Sequence, residues 1–230
     1  MIVILNNKCN LSKTEFIKYQ EELKTINTEH EVVLCPTYLN INNCQLETIK
    51  IGAQNVSCTD NGAYTGEISA RDLKDSGVKY TIVGHSERRK YQNESNYDIN
   101  EKIKRLLEND ITPILCIGET EDERNNGLVE YIINKQLSES LRGLLEEKIK
   151  KIIIAYEPIW SIGTGLIPDI DDIINVNNFI KKLYPNNQII YGGSANENNI
   201  QNLKSKAIDG YLLGGLSLKP EKIKEFLDQL

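Results

Sequence analysis

Three side chains suited to acid–base or electrostatic chemistry stand just past short apolar runs. Lys8 follows Ile2–Leu5 by way of Asn6-Asn7, His85 follows Tyr80–Val83, and Glu157 follows Ile152–Ala155. Glu157 lies among Ile154, Ala155, Pro158, Ile159 and Trp160. Such surroundings desolvate a carboxylate and raise its pKa toward that of a useful general base. His85 sits between Gly84 and Ser86, at a strand end rather than within an element, which favours chemistry over packing. Two glycine pairs, Gly192-Gly193-Ser194 and Gly214-Gly215, close the runs Ile189–Tyr191 and Tyr211–Leu213. A strand that ends in Gly-Gly and leads into a helix presents backbone N–H groups, and without a β-carbon an anion can approach them closely. The pairs therefore predict a phosphate cradle. After Glu157 come Pro158-Ile159-Trp160 and then Gly163-Thr164-Gly165, the stiff beginning and glycine-rich end that a hinged lid needs.

Eight apolar runs must position these groups: Ile2–Leu5, Val32–Leu34, Ile51–Ala53, Tyr80–Val83, Ile114–Ile117, Ile152–Ala155, Ile189–Tyr191 and Tyr211–Leu213. Their residues are apolar in succession rather than in alternation, which predicts parallel strands covered on both faces. Between them lie helical periodicities. One is Ile99, Ile103, Leu106 and Leu107; a second is Ile173, Ile174, Ile180 and Leu183. A third, long helix is predicted by Ile132, Ile133, Leu137, Leu141, Leu144, Leu145 and Ile149. Eight strand–helix units in 230 residues come to about 29 residues each, the size of a βα unit. An open doubly wound sheet and a closed (β/α)8 barrel both accept that alternation, and eight units with no G-x-G-x-x-G after the first strand favour the barrel. In a barrel the chemistry belongs to the C-terminal strand ends, where Lys8, His85, Glu157 and the glycine pairs would converge. No linker or low-complexity block divides residues 1–230, so one domain is expected. By its length the long polar connection Asn55–Glu67 is expected to be functional or to form an interface, with a mobile surface loop as the alternative.

Composition excludes other classes. The chain is 40% hydrophobic and 26% charged, and no apolar run approaches about 18 residues, so no membrane partner is expected. The start, MIVILNNK, lacks a basic lead-in and reads as a buried strand rather than a signal. Cysteines at 9, 35, 44, 58 and 116 show neither metal nor redox spacing, which predicts reduced thiols and a cytoplasmic location. Two histidines, His30 and His85, with no Cys/His cluster argue against a metal site. A net charge of −6 disfavours nucleic acid as a partner.

The motifs carry a resemblance. AYEPIWSIGTG (155–165) is similar to the sixth-strand and lid signature of the triosephosphate isomerase family, and VGHSERR (83–89) to its fourth-strand signature. Asn6-Asn7-Lys8 resembles that family's N-W-K. Tyr191-Gly192-Gly193-Ser194 matches its Y-G-G-S, and Gly214-Gly215-Leu216-Ser217 its phosphate-binding G-G-x-S. Cys116-Ile117-Gly118-Glu119 and Ala63-Tyr64-Thr65-Gly66-Glu67 match as well. The similarity runs from Ile2 to about Leu218.

The resemblance implies a closed eight-stranded parallel (β/α)8 barrel, the TIM-barrel fold. It implies a cofactor-free, metal-free aldose–ketose isomerase that interconverts dihydroxyacetone phosphate and D-glyceraldehyde 3-phosphate through an enediol(ate), in glycolysis and gluconeogenesis. It makes Glu157 the base, His85 a neutral imidazole that polarises the carbonyl, and Lys8 the cation for oxyanion and phosphate; this enzyme is the standard example of that Glu–His arrangement. Asn6 would donate a further hydrogen bond, and Gly163, Ser194, Gly214 and Gly215 would hold the phosphate. Glu87 and Ser86 would support the cluster, Glu87 by pairing with Lys8, while Tyr191 and Ser194 would hold the lid shut. The loop bearing Thr65, Gly66 and Glu67 would insert into a second copy and place its Thr65 beside that copy's Lys8, a homodimer. Departures are Asn7 for Trp, with altered packing expected beside Lys8, and Ser161 for Ala in the lid. Leu166-Ile167-Pro168 differs at the far hinge, where Pro168 is expected to stiffen reopening, and Leu216 stands for a small residue. A metal-dependent phosphosugar epimerase needs more histidine and aspartate ligands than this chain supplies. A barrel kept only as a scaffold would be expected to have lost Glu157, His85 or Lys8.

Overall fold

In a computed structural model of the chain, residues 1–162 and 168–230 are described. Eight strands, β1 (Ile2–Asn6), β2 (Glu31–Cys35), β3 (Lys50–Ala53), β4 (Tyr80–Val83), β5 (Thr112–Ile117), β6 (Ile153–Tyr156), β7 (Ile189–Tyr191) and β8 (Gly210–Leu213), pair in parallel in chain order. β1 also pairs with β8, from Ile2 opposite Gly210 to Leu5 opposite Leu213, and this closes the barrel. Successive side chains of a strand point to opposite faces. Ile4, Val33, Ile82, Ile114, Cys116, Ile153, Ile190 and Leu212 accordingly pack into one cluster. Their chain neighbours Val3, Leu34, Val83, Leu115, Ile154 and Leu213 belong to a second cluster, shared with the helices. Both faces are dry, which is why the strands read as unbroken apolar runs.

The helix Asn96–Glu108 buries Ile99, Ile103, Leu106 and Leu107 as its periodicity predicts. It starts at a capping box in which Ser95 Oγ accepts the Asp98 N–H and Asp98 accepts the Ser95 N–H. The helix Ile170–Leu183 departs slightly: its buried stripe is Ile173, Val176 and Ile180, with Ile174 half-buried and Leu183 turned outward. The third periodicity is corrected. Rather than one helix through Ile149, the segment forms Val129–Ser140 and a separate short turn Glu146–Ile149. Between them Gly143 takes φ +76°, a left-handed conformation that ends a helix and that glycine adopts without strain. Leu145 is left exposed by the break.

The loop Asn55–Glu67 contains neither helix nor strand, and every residue from Asp60 to Glu67 is exposed. Its base is tied down: the Ser57 N–H donates to the Ile68 carbonyl at 2.8 Å, and Lys102 Nζ donates to Asn55 Oδ1 at 2.8 Å. Among the described residues no helix is long and apolar enough to cross a membrane.

Candidate active site

Glu157 follows β6, whose register delivers it to the C-terminal rim with its N–H donating to the Ile117 carbonyl at 2.7 Å. It is 2% exposed. Two glycines make that position possible. A β-carbon on Gly118 would lie 1.8 Å from the Glu157 carbonyl oxygen, and one on Gly192 would lie 2.7 Å from Glu157 Cγ. The strand ends on either side are thus shaped around this one residue, Gly118 around its backbone and Gly192 around its side chain. Beneath it lies the fully buried Cys116 thiol, pushed well above its ordinary pKa by burial and then by the charge and hydrogen bond of Glu157. It stays protonated, a weak donor to the carboxylate.

A prediction follows from the glycine contact. Gly118→Ala forces its β-carbon into backbone, so something must shift, and the piece that shifts carries Glu157. We expect a loss of kcat of about 10²-fold, the scale of an about 1 Å misplacement of a catalytic group. We also expect a lowered melting temperature, read by thermal unfolding beside the rate assay. An unchanged rate would show that the base does not depend on this contact.

His85 caps the short helix Ser86–Tyr91, and its Nδ1 accepts the Glu87 N–H at 3.2 Å. A backbone N–H can only donate, so Nδ1 carries no proton; the ring is neutral and its hydrogen is on Nε2. Glu87 Oε2, at 3.7 Å from Nδ1, is too far to compete for that nitrogen. Nε2 lies 3.5 Å from Glu157 Oε1, and the Ser86 N–H lies 3.4 Å from Glu157 Oε2.

Lys8 adopts φ +52°, a left-handed conformation that a non-glycine residue holds only when its surroundings impose it. Asn6 Oδ1 accepts the Lys8 N–H at 3.0 Å, and Gln54 Nε2 donates to both the Lys8 carbonyl at 2.8 Å and the Cys35 carbonyl at 3.0 Å. The ammonium pairs with Glu87 Oε1 at 2.6 Å. Asn6, Lys8, His85, Glu157, Ser194, Gly214 and Gly215 line one cavity of about 290 Å³. Of the residues expected from sequence to contact substrate, Gly163 lies outside the described residues, as do Thr164, Gly165, Leu166 and Ile167. Pro168, at the far hinge, is buried.

The segment that leads into the expected lid is anchored. Fully buried Glu119 accepts Trp160 Nε1–H and Tyr156 O–H through Oε1, each at 3.1 Å. Ser161 Oγ donates to the Pro158 carbonyl at 2.9 Å, and Ser194 Oγ donates to the Ser161 carbonyl. Tyr191 lies beside them, its phenol pushed up to about 12 by burial. Leu216 is half-buried on the cavity wall. Asn7 is 1% exposed and hydrogen-bonded rather than merely packed.

Several positioning residues are not evident from sequence alone. Gln54 stands directly past β3, where reading every strand end for polar groups would have found it. Arg89 donates to the carbonyls of Gly84 at 2.8 Å and Cys116 at 3.2 Å, lacing the ends of β4 and β5 together. Its signal was the second arginine of GHSERR. Cys116 and Glu119 belong to the segment Cys116-Ile117-Gly118-Glu119.

A closed parallel barrel whose C-terminal rim gathers a buried carboxylate, a neutral imidazole, a cation and glycine turns defines a (β/α)8-barrel enzyme. A model of the triosephosphate isomerase family matches residues 1–230. Similar proteins include the triosephosphate isomerase of Dictyoglomus turgidum, 45% identical over 90% of this chain and 88% of that one. Those of Alkaliphilus metalliredigens and Clostridium botulinum are 40% and 38% identical, each over 96% of this chain and 95% of its own. The chain belongs to the triosephosphate isomerase family. It is an isomerase that interconverts dihydroxyacetone phosphate and glyceraldehyde 3-phosphate, a reaction of glycolysis.

Proposed function

We propose that Glu157 is the base that carries the proton between the two carbons of the triose phosphate. Its carboxylate takes the proton α to the carbonyl, and the electron pair left behind moves onto the carbonyl oxygen as an enediol(ate). The same carboxylic acid then returns the proton to the neighbouring carbon. His85 Nε2–H donates to the oxygen that gains charge, and Lys8 stabilises that charge and the phosphate. Asn6 adds a hydrogen bond, Glu87 sets the Lys8 ammonium, and the Ser86 N–H steadies the resting carboxylate. The phosphate rests on the N–H groups of Gly163, Ser194, Gly214 and Gly215. Tyr191 and Ser194 hold the lid closed, keeping water from an intermediate that could otherwise expel its phosphate. The chain works as one domain, without metal or cofactor, in the cytoplasm and in gluconeogenesis as well as glycolysis.

The single observation that carries this reading is the pair formed by Glu157 Oε1 and His85 Nε2, 3.5 Å apart on the cavity that the glycine turns also line. A coupled assay with glyceraldehyde 3-phosphate, comparing wild type with Glu157→Asp, tests it. Equal, background-level turnover in both would leave a scaffold barrel instead.

We further propose a homodimer through the Asn55–Glu67 loop. Beside Lys8 opens a second hollow of about 280 Å³, lined by Tyr38, Gln54, Glu87 and Tyr91. Of its lining Tyr91 is 66% exposed; Leu39, next to Tyr38 in the chain, is 86% exposed, and in the exposed loop Tyr64 is 51% exposed. Burying such groups against a second copy, with Thr65, Gly66 and Glu67 seated near that copy's Lys8, accounts for both the hollow and the exposed loop. Sedimentation should find two chains per particle, and Thr65→Arg should lower activity together with dimer content. A fully active monomer contradicts it.

A further inference from the structure

Asn7 stands where the family has tryptophan, and its burial is chemically odd. An amide costs free energy to bury unless its groups are paired, and Asn7 Oδ1 finds no hydrogen-bond partner among the described residues. Its Nδ2, by contrast, is shared among three acceptors: the Ser217 carbonyl at 3.0 Å, Ser217 Oγ at 3.3 Å and Tyr19 Oη at 3.3 Å. Tyr19 Oη itself donates to the Ser217 carbonyl at 2.6 Å, and Ser217 Oγ donates to the Asn6 carbonyl at 2.8 Å. Ser217 is fully buried, and Tyr19 nearly so. Burial pushes the Tyr19 phenol well up, so its hydroxyl keeps the proton that it donates.

These bonds all converge on one short turn. Ser217 belongs to the single helical turn Gly215–Leu218 after β8, and its own N–H donates to the Gly214 carbonyl at 2.9 Å. The turn carrying Gly214 and Gly215 is therefore fixed from behind, through Ser217, to the same stretch of β1 that ends in Asn6 and Lys8. Asn7 and Ser217 lie 210 positions apart in sequence. No backbone pairing of β1 with β8 extends past Leu5 and Leu213, so beyond that point these side-chain bonds join the two strand ends. An apolar side chain could fill the space more cheaply; only a polar one can dictate the turn's position.

We propose that Asn7 and Tyr19 are positioning residues that clamp the Gly214–Gly215 phosphate turn in register with Lys8, the role this chain assigns to a hydrogen-bonded pair in place of the family's tryptophan. The clamp rests on the reading of Gly214 and Gly215 as phosphate-binding. It touches no reacting atom, so it acts on how tightly the phosphate is held in ground state and transition state alike.

Steady-state kinetics on the whole chain, with inorganic phosphate as a competitive inhibitor, test this. Tyr19→Phe removes one hydroxyl and nothing else. It should raise KM for glyceraldehyde 3-phosphate and Ki for inorganic phosphate by the same factor, about threefold to tenfold, the scale of one buried hydrogen bond, with kcat within about twofold. Asn7→Leu should do the same, and the double variant should be no worse than the stronger single, because one device is being broken twice. If Asn7→Leu fails to fold, Tyr19→Phe alone decides. Gly215→Ala serves as the control for the underlying reading: a β-carbon there meets no atom within 4 Å, so it projects into open space where the phosphate would sit. If Gly215→Ala weakens phosphate while Tyr19→Phe lowers only the melting temperature, the clamp is structural and the proposal fails. If Gly215→Ala leaves both constants unchanged, the phosphate reading fails and takes the clamp with it.

Discussion

Glu157→Asp is expected to lower kcat about 10³-fold while KM moves by less than about threefold, because a base drawn back by roughly 1 Å or more no longer reaches the proton. The structure explains why so small a change should matter. The pocket closes on this side chain: the Gly192 position admits no β-carbon beside Glu157 Cγ, while Gly118 makes room for the Glu157 backbone carbonyl. The backbone at Glu157 is pinned by its bond to the Ile117 carbonyl, so it cannot advance to compensate for a missing methylene. The glycine turns proposed to hold the phosphate line the same cavity and are left intact by the substitution. A loss confined to kcat therefore distinguishes a misplaced base from a damaged fold, and kinetics against glyceraldehyde 3-phosphate read it directly.

The second large effect concerns charge. Lys8→Met removes the ammonium and also strands its partner Glu87, whose Oε1 lies 2.6 Å away, so the site loses a cation and gains an unpaired anion. For a phosphorylated substrate both changes have the same sign. We expect kcat/KM to fall at least about 10³-fold, somewhat more than one oxyanion donor usually contributes, because binding and transition-state charge are both affected. The double variant Lys8→Met/Glu87→Gln separates the two. Neutralising the stranded carboxylate should recover part of KM and none of kcat. Recovery of kcat in the double variant would mean that Lys8 serves only to silence Glu87.

The strands were legible from sequence because each is dry on both faces; Tyr80–Val83 and Ile189–Tyr191 keep the bounds their apolar runs suggest. The rim was legible for a related reason: in a closed parallel barrel, a polar residue just past an apolar run has one place to go. Two kinds of feature stayed hidden. A single backbone conformation, Gly143 in the left-handed region, divided what the periodicity joined into one helix. Contacts made by distant residues were hidden too. The expectation of altered packing at Asn7 could not specify its partners, because Tyr19 and Ser217 meet it only when β8 closes onto β1. Gln54 and Arg89 carry a local signal, a strand end and the second arginine of GHSERR, but nothing local tells that their partners are carbonyls of other strands.

Proton transfer by Glu157 is the centre of the account, and solvent deuterium reports on it most directly. Run in D2O and followed by proton NMR, the wild-type reaction should place deuterium on the carbon that receives the proton in the product. Glu157→Gln should show no incorporation above the uncatalysed background, while still binding inorganic phosphate as tightly as wild type. Incorporation by Glu157→Gln at the wild-type rate would contradict the account, since the proton would then be carried by some other group.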